Sequence, residues 1–163
     1  MYSDTTNKIP TFLKVICILT FIWSAYSLYT NYKTLKITNE QYQTYADQID
    51  KFLEKESDAG NTDSFNFKYQ EGQLELIYKK MEIGHQVDYI SLILILLSLG
   101  GAIFMLLLKK IGFYMYVIAQ LFVFFLPVLF FDVNYTILIM LLINGTFTAG
   151  FIIMYYLNLK HLK

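Results

Sequence analysis

Glu82-Ile83-Gly84-His85 sets a carboxylate and an imidazole three residues apart, and Asp88 follows one turn later. On a helix, positions i and i+3 share a face, and Glu-x-x-His is the spacing with which helical bundles hold pairs of metal ions. A centre of that kind needs two such motifs and two further carboxylates. The chain has only two histidines, and the second, His161, falls at the opposite end of the apolar runs. The expectation is a solvated face beside the membrane, with no metal and no cofactor. Cys17 is the single cysteine, which excludes an intramolecular disulfide and the paired-cysteine chemistry of membrane thiol oxidoreductases. It reads as a small apolar residue facing lipid or a neighbouring helix. No Ser/His or Asp/Asp constellation falls at matched depth, so the sequence reads as that of a nonenzyme.

The elements that would carry these residues are four long uncharged runs. Between Lys14 and Lys33, Asp88 and Lys109, Lys110 and Asp132, and Asp132 and Lys160 they measure 18, 20, 21 and 27 residues. About 20 apolar residues of helix cross the roughly 30 Å hydrocarbon core of a bilayer. The fold class expected is therefore an all-α integral membrane protein in one domain, residues 1–163, with spans at about 10–32, 88–108, 111–131 and 134–158. Pro10 stands near the first turn of the first span. Ala25 and Ser27 offer a small-x-small cleavage pattern, but bulky Trp23 and Tyr26 fit it poorly, so an uncleaved first helix is expected. Composition agrees: 56% of the chain is hydrophobic and 16% charged, against about 25% charged in soluble domains. All 13 basic residues are lysine and the net charge is zero, which leaves no basic footprint for nucleic acid. The lysine-for-arginine bias points to an AT-rich bacterial genome.

Residues 33–87 form the one sizeable polar region, expected as a small extracytoplasmic helical cap. Thr38 and Gln41 have the spacing of a capping box. Tyr42, Tyr45, Ile49 and Phe52 then recur on one helical face, and the helix should stop near Ser57, before the turn chemistry of Asp58-Ala59-Gly60-Asn61. Phe65-Asn66-Phe67-Lys68-Tyr69 alternates aromatic and polar residues and reads as a short extended segment. From Gly72 onward Leu74, Ile77, Tyr78 and Met81 mark a second helix, expected to pair with the first and to run on into the second span. Lys8, Lys14, Lys109, Lys110, Lys160 and Lys163 crowd the short segments on the side of the N-terminus. By the positive-inside rule that side is cytoplasmic, which places both termini inside a bacterial inner membrane.

Inside the spans no charge lies at the centre of a run, so the usual mark of a transporter or pump is missing. The membrane carboxylate that four-span bacterial drug exporters require is missing too. Gln120 and Asn144 are the deep polar side chains. Each stands about twelve residues from the turn at 132–133, so they should meet near mid-bilayer and bond to each other as structural glue. Small residues four apart, Gly145 with Ala149, Ser98 with Ala102 and Thr20 with Ser24, mark faces where helices approach closely. Pro127 should bend the third span. Phe113, Tyr114, Tyr116, Phe130, Phe131, Tyr135, Tyr155 and Tyr156 are expected in an interfacial aromatic belt.

Lys109-Lys110-Ile111-Gly112-Phe113-Tyr114, followed by Val117-Ile118-Ala119-Gln120, resembles small uncharacterised four-span bacterial membrane proteins. The layout of one long loop and two tight turns resembles that of claudins, in topology alone, because the first loop lacks their Trp and paired cysteines. Neither resemblance implies an activity. The sequence points to a noncatalytic accessory or scaffolding subunit whose partners are membrane lipids and another integral membrane protein or a second copy of itself. A membrane sensor acting through its cap is the second reading; a small transporter or lipid-handling enzyme is the third.

Overall fold

The computed structural model describes residues 9–163. Among them run α1 (Thr11–Thr34), α2 (Asn39–Asp58), α3 (Phe65–Ile83), α4 (Gln86–Leu106), α5 (Lys110–Phe130) and α6 (Tyr135–Leu157), closed by a 3-10 turn at Leu159–His161. Helices α1, α4, α5 and α6 are long and apolar enough to cross a membrane, so the chain is a multi-pass membrane protein. In hydrocarbon every backbone N–H and C=O must be bonded within the chain, and each uncharged run accordingly forms one continuous helix. Lys8, part of the lysine count, lies outside the described residues.

Local chemistry sets the breaks. Helix α2 starts at the expected capping box: the Gln41 N–H donates to the Thr38 hydroxyl at 3.4 Å, and the Thr38 N–H to the Gln41 side-chain oxygen at 3.1 Å. The segment 65–69 is helical, contrary to the extended reading. Ser64 caps α3 by accepting the Phe67 N–H at 3.1 Å, and this N-cap outweighs the alternating pattern that imitates a strand. Nor does the second polar helix run into the following span. Gly84, at φ 61° and ψ −143°, ends α3 in a conformation that side-chain-bearing residues avoid. The turn between α4 and α5 is held by the C-terminal tail: the Lys163 N–H donates to the Leu108 carbonyl at 2.6 Å, and the Lys110 N–H to the Lys163 carbonyl at 2.8 Å.

Helix α4 packs on both α1 and α5, while α6 packs on α5 and touches α1. The α4–α5 crossing is backbone against backbone. A Cβ added at Gly101 would stand 2.8 Å from the Gly112 carbonyl oxygen, and one at Gly112 would stand 2.6 Å from the Met105 nitrogen. At that end Leu13, Ile16, Cys17, Met105, Phe113, Tyr116, Tyr155 and Leu162 form the apolar core. Phe113, Tyr116 and Tyr155 are therefore interior residues and do not belong to an aromatic belt, whereas Tyr114 and Tyr156 are exposed. Tyr155 is held inside because its hydroxyl bonds to Thr20 at 2.7 Å and donates to the Cys17 sulfur at 3.7 Å. Its ring meets Tyr116 edge-on at 4.7 Å.

Alanine at the glycines of this crossing gives a direct test. In an open helical position Gly→Ala gains up to about 1 kcal/mol, and nothing lies within 4 Å of a Cβ at Gly150. Gly150→Ala should leave detergent unfolding unchanged or slightly raised, while Gly101→Ala and Gly112→Ala should each lose about 1–3 kcal/mol by overpacking. Equal stability in all three variants would show that the crossing is looser than described.

Candidate functional site

Three groups of polar residues organise the molecule. The first is the seam where α2, α3 and α4 meet. Because Gly84 turns the chain, Lys80 near the end of α3 reaches back to Asp88 in the first turn of α4, with Nζ to Oδ1 at 2.9 Å. Asp88 is 5% exposed, and its other oxygen lies 3.2 Å from His85 Nδ1. The Lys80 ammonium also lies 6.0 Å from the centre of the Tyr42 ring. The Tyr42 hydroxyl is buried and has no hydrogen-bond partner among the described residues. Burial first, and the Asp88 charge second, push that hydroxyl up to about 12.

Asp88 is thus buried against Lys80, which corrects the expectation of a solvated face at that residue, while Glu82 is exposed. Glu82 does not join that pair, since Lys79 takes its carboxylate at 2.8 Å. Along the α2–α3 seam Tyr42 and Ala46 are buried, and Ile49, Phe52, Leu74, Ile77 and Met81 are partly buried. Tyr45 and Tyr78 stand outside it, 51% and 45% exposed. Tyr78 still ties the hairpin by donating to Asp50 at 3.0 Å, a bond that raises its hydroxyl above the ordinary tyrosine range.

The second group joins the polar hairpin to the membrane helices. Asn134 accepts the Ile137 N–H at 3.0 Å as the N-cap of α6. Its amide donates to the Gly72 carbonyl at 3.1 Å and to Glu75 at 2.7 Å. Thr136 donates to the Tyr69 carbonyl at 2.8 Å. Gly72 allows this approach, since a Cβ there would stand 2.5 Å from the Thr136 hydroxyl. The sequence pattern starts the second polar helix at Gly72 and the fourth span at residue 134, without linking the two. The signal for this anchor was an N-cap residue immediately before an apolar run.

The third group lies within the spans. Gln120 donates to the Ser98 hydroxyl at 3.2 Å. The expected amide pair is absent, although Gln120 and Asn144 line the same cavity between α1, α5 and α6. Ser98 and Ala102 are buried on α4, where Ala102 accepts the Cys17 thiol at 3.7 Å. Gly145 faces α5, with a Cβ position 2.9 Å from the Phe124 ring, whereas Ala149 is exposed. Comparison with protein-family models, curated proteins and solved structures gave no match.

Two outcomes are expected at the α2–α3–α4 seam. Lys80→Met leaves a buried carboxylate without its ammonium and should lower stability by about 3–5 kcal/mol. Asp88→Asn in the same chain should restore part of it, which thermal unfolding in detergent would measure; no rescue would mean that Lys80 acts through packing alone. Tyr42→Phe removes an unbonded buried hydroxyl and should be neutral or stabilising by about 1 kcal/mol at pH 8. A tyrosine whose pKa is raised on folding contributes stability that is present below pH about 10 and is lost as pH climbs through about 12. The advantage of Tyr42→Phe over wild type should therefore widen between pH 10 and 12. A constant difference would show that folding does not raise that hydroxyl above its ordinary range.

Proposed function

We propose that the protein is a noncatalytic accessory or scaffolding subunit that packs through α6 against a membrane helix of another protein or of a second copy. The observation that carries this reading is the bareness of α6. Only 6% of its apolar stretch is buried, against 33% for α4. Tyr135, Leu138, Leu142, Thr146, Ala149, Ile153 and Tyr156 are all exposed, and they recur at the mean spacing of about 3.5 residues that forms a helix-pairing seam. Thr146 and Ala149 at its centre are small, as close approach in a membrane requires. Nothing stands within 4 Å of a Cβ at Gly150 beside them.

The density of lysines supports an orientation. Lys14, Lys109, Lys110, Lys160 and Lys163 gather at the end where α1 begins and α6 finishes. The positive-inside rule makes that end cytoplasmic and the α2–α3 hairpin an extracytoplasmic cap, in the inner membrane of a bacterium. Sensing through the cap is the second reading. It is favoured by the buried Lys80–Asp88 pair, which ties the hairpin to α4.

A photoreactive residue at Thr146 or Ala149 should give one discrete protein adduct in cells. Ala149→Leu should weaken the purified complex about tenfold. Gly145→Leu should instead destabilise the chain itself, because its side chain would run into Phe124. A lone monomer with only lipid adducts at both positions would overturn the proposal.

A further inference from the structure

We propose that the cavity between α1, α5 and α6 is a binding site for an uncharged lipid carrying a ketone, ester or hydroxyl oxygen. The site lies on the inner side of α6, away from the exposed seam, and does not rest on the scaffolding role. Its volume is about 280 Å³, at the lower end of small-molecule sites, which run from about 300 Å³ upward. That volume accommodates a ring or a length of chain.

The lining selects the chemistry. The Thr20–Tyr155 hydrogen bond joins α1 to α6, and beyond it the two helices flank the cavity. Trp23 and Phe147 supply broad apolar faces, and Ser24, Gln120, Asn144 and Thr148 supply polar atoms. Ser24 is 4% exposed, yet its hydroxyl has no bond among the described residues. The Asn144 amide has none either, and Gln120 uses a single N–H, toward Ser98. An asparagine side chain offers two donors and an acceptor, and leaving such groups unbonded in hydrocarbon costs several kcal/mol. A bound oxygen accepting from Asn144 and Gln120 removes that cost.

No charged residue lines the cavity, so an ionised ligand would enter without a counter-charge. Depth narrows the class further. Twelve residues of helix rise about 18 Å, which takes Asn144 and Gln120 to the middle of a core about 30 Å thick. Phospholipid headgroups stay at the surface of that core, whereas a neutral ring or glyceride can bring its oxygens inward.

Trp23 is the single tryptophan and lines the cavity, so its fluorescence reports occupancy. Purified full-length protein in detergent is titrated with decylubiquinone, with a diacylglycerol bearing brominated chains, and with phosphatidylcholine bearing the same chains. At least one neutral probe should quench Trp23 saturably, and phosphatidylcholine only in linear proportion to its concentration. Saturation by the quinone alone assigns the site to ring ketones; saturation by the glyceride alone assigns it to ester and hydroxyl oxygens. Asn144→Leu should weaken the saturable binding at least tenfold, and Ala149→Leu should leave it unchanged. If Asn144→Leu fails to fold, Thr148→Val removes a hydroxyl with little change of shape and should weaken binding several-fold. Linear quenching by every probe, or saturable binding unchanged in the cavity variant, would overturn the proposal.

Discussion

Backbone contact between α4 and α5 governs the rest of the bundle. Gly101 and Gly112 bring the two main chains so close that a single methyl at either position would overlap the other helix's backbone. With lipid as the solvent there is little hydrophobic force between helices, and close packing supplies most of the attraction. Once that crossing is fixed, the Leu107–Lys109 turn follows, and Leu108 adopts φ 58° to make it. Another face of α4 then receives α1, where Cys17 donates to the Ala102 carbonyl. Helix α6 packs on α5 and meets α1 at the Thr20–Tyr155 bond.

Helix α6 is held quite differently. Polar bonds secure it near its two ends, through Asn134 and Thr136 to α3 and through Tyr155 to Thr20. Between them the helix gains little from burial. A helix tied at its ends and open along its middle has surface to spare on both sides, which is why the seam toward a partner and the cavity toward α1 coexist on one element. The hairpin takes part in this arrangement, because the α3 carbonyls of Tyr69 and Gly72 are the acceptors that hold the top of α6. A change in the hairpin is therefore felt at α6 through three hydrogen bonds and at α4 through the Lys80–Asp88 pair.

Sequence patterns carried the elements further than the contacts. Uncharged runs located all four apolar helices, and the Thr38/Gln41 capping box located the start of α2. The failures share one cause: spacing along a chain fixes depth or helix face but not the rotation of one helix against another. Gln120 and Asn144 are equally far from their turn, yet Gln120 points to Ser98. Small-residue spacing within single helices does not reveal Gly101 and Gly112, because this pair meets across a turn. Lys80 and Asp88 were hidden by the assumption of a continuous helix, on which eight residues would separate them by about 12 Å. Gly84 alone turns that separation into a contact, and it was the residue inside the Glu-x-x-His motif that carried no weight in the metal reading.

The charged seam and the cavity are built on opposite principles. Near Asp88 every formal charge has a partner, and the one unbonded atom, the Tyr42 hydroxyl, is sealed from solvent. That is the economy of a structural joint, where satisfied charges lock the hairpin onto α4 and leave no room for a guest. At the cavity the order is reversed: no charged residue lines it, space is available, and Ser24, Asn144 and Thr148 keep unused hydrogen-bonding capacity. Glue between helices would have consumed that capacity, as the Thr20–Tyr155 bond does a turn away. Polar groups that line an opening between apolar spans and are spared from bonding to one another have the character of a receiving surface. On that physical ground the cavity, rather than the charged seam, is the place where this protein has retained chemistry for another molecule.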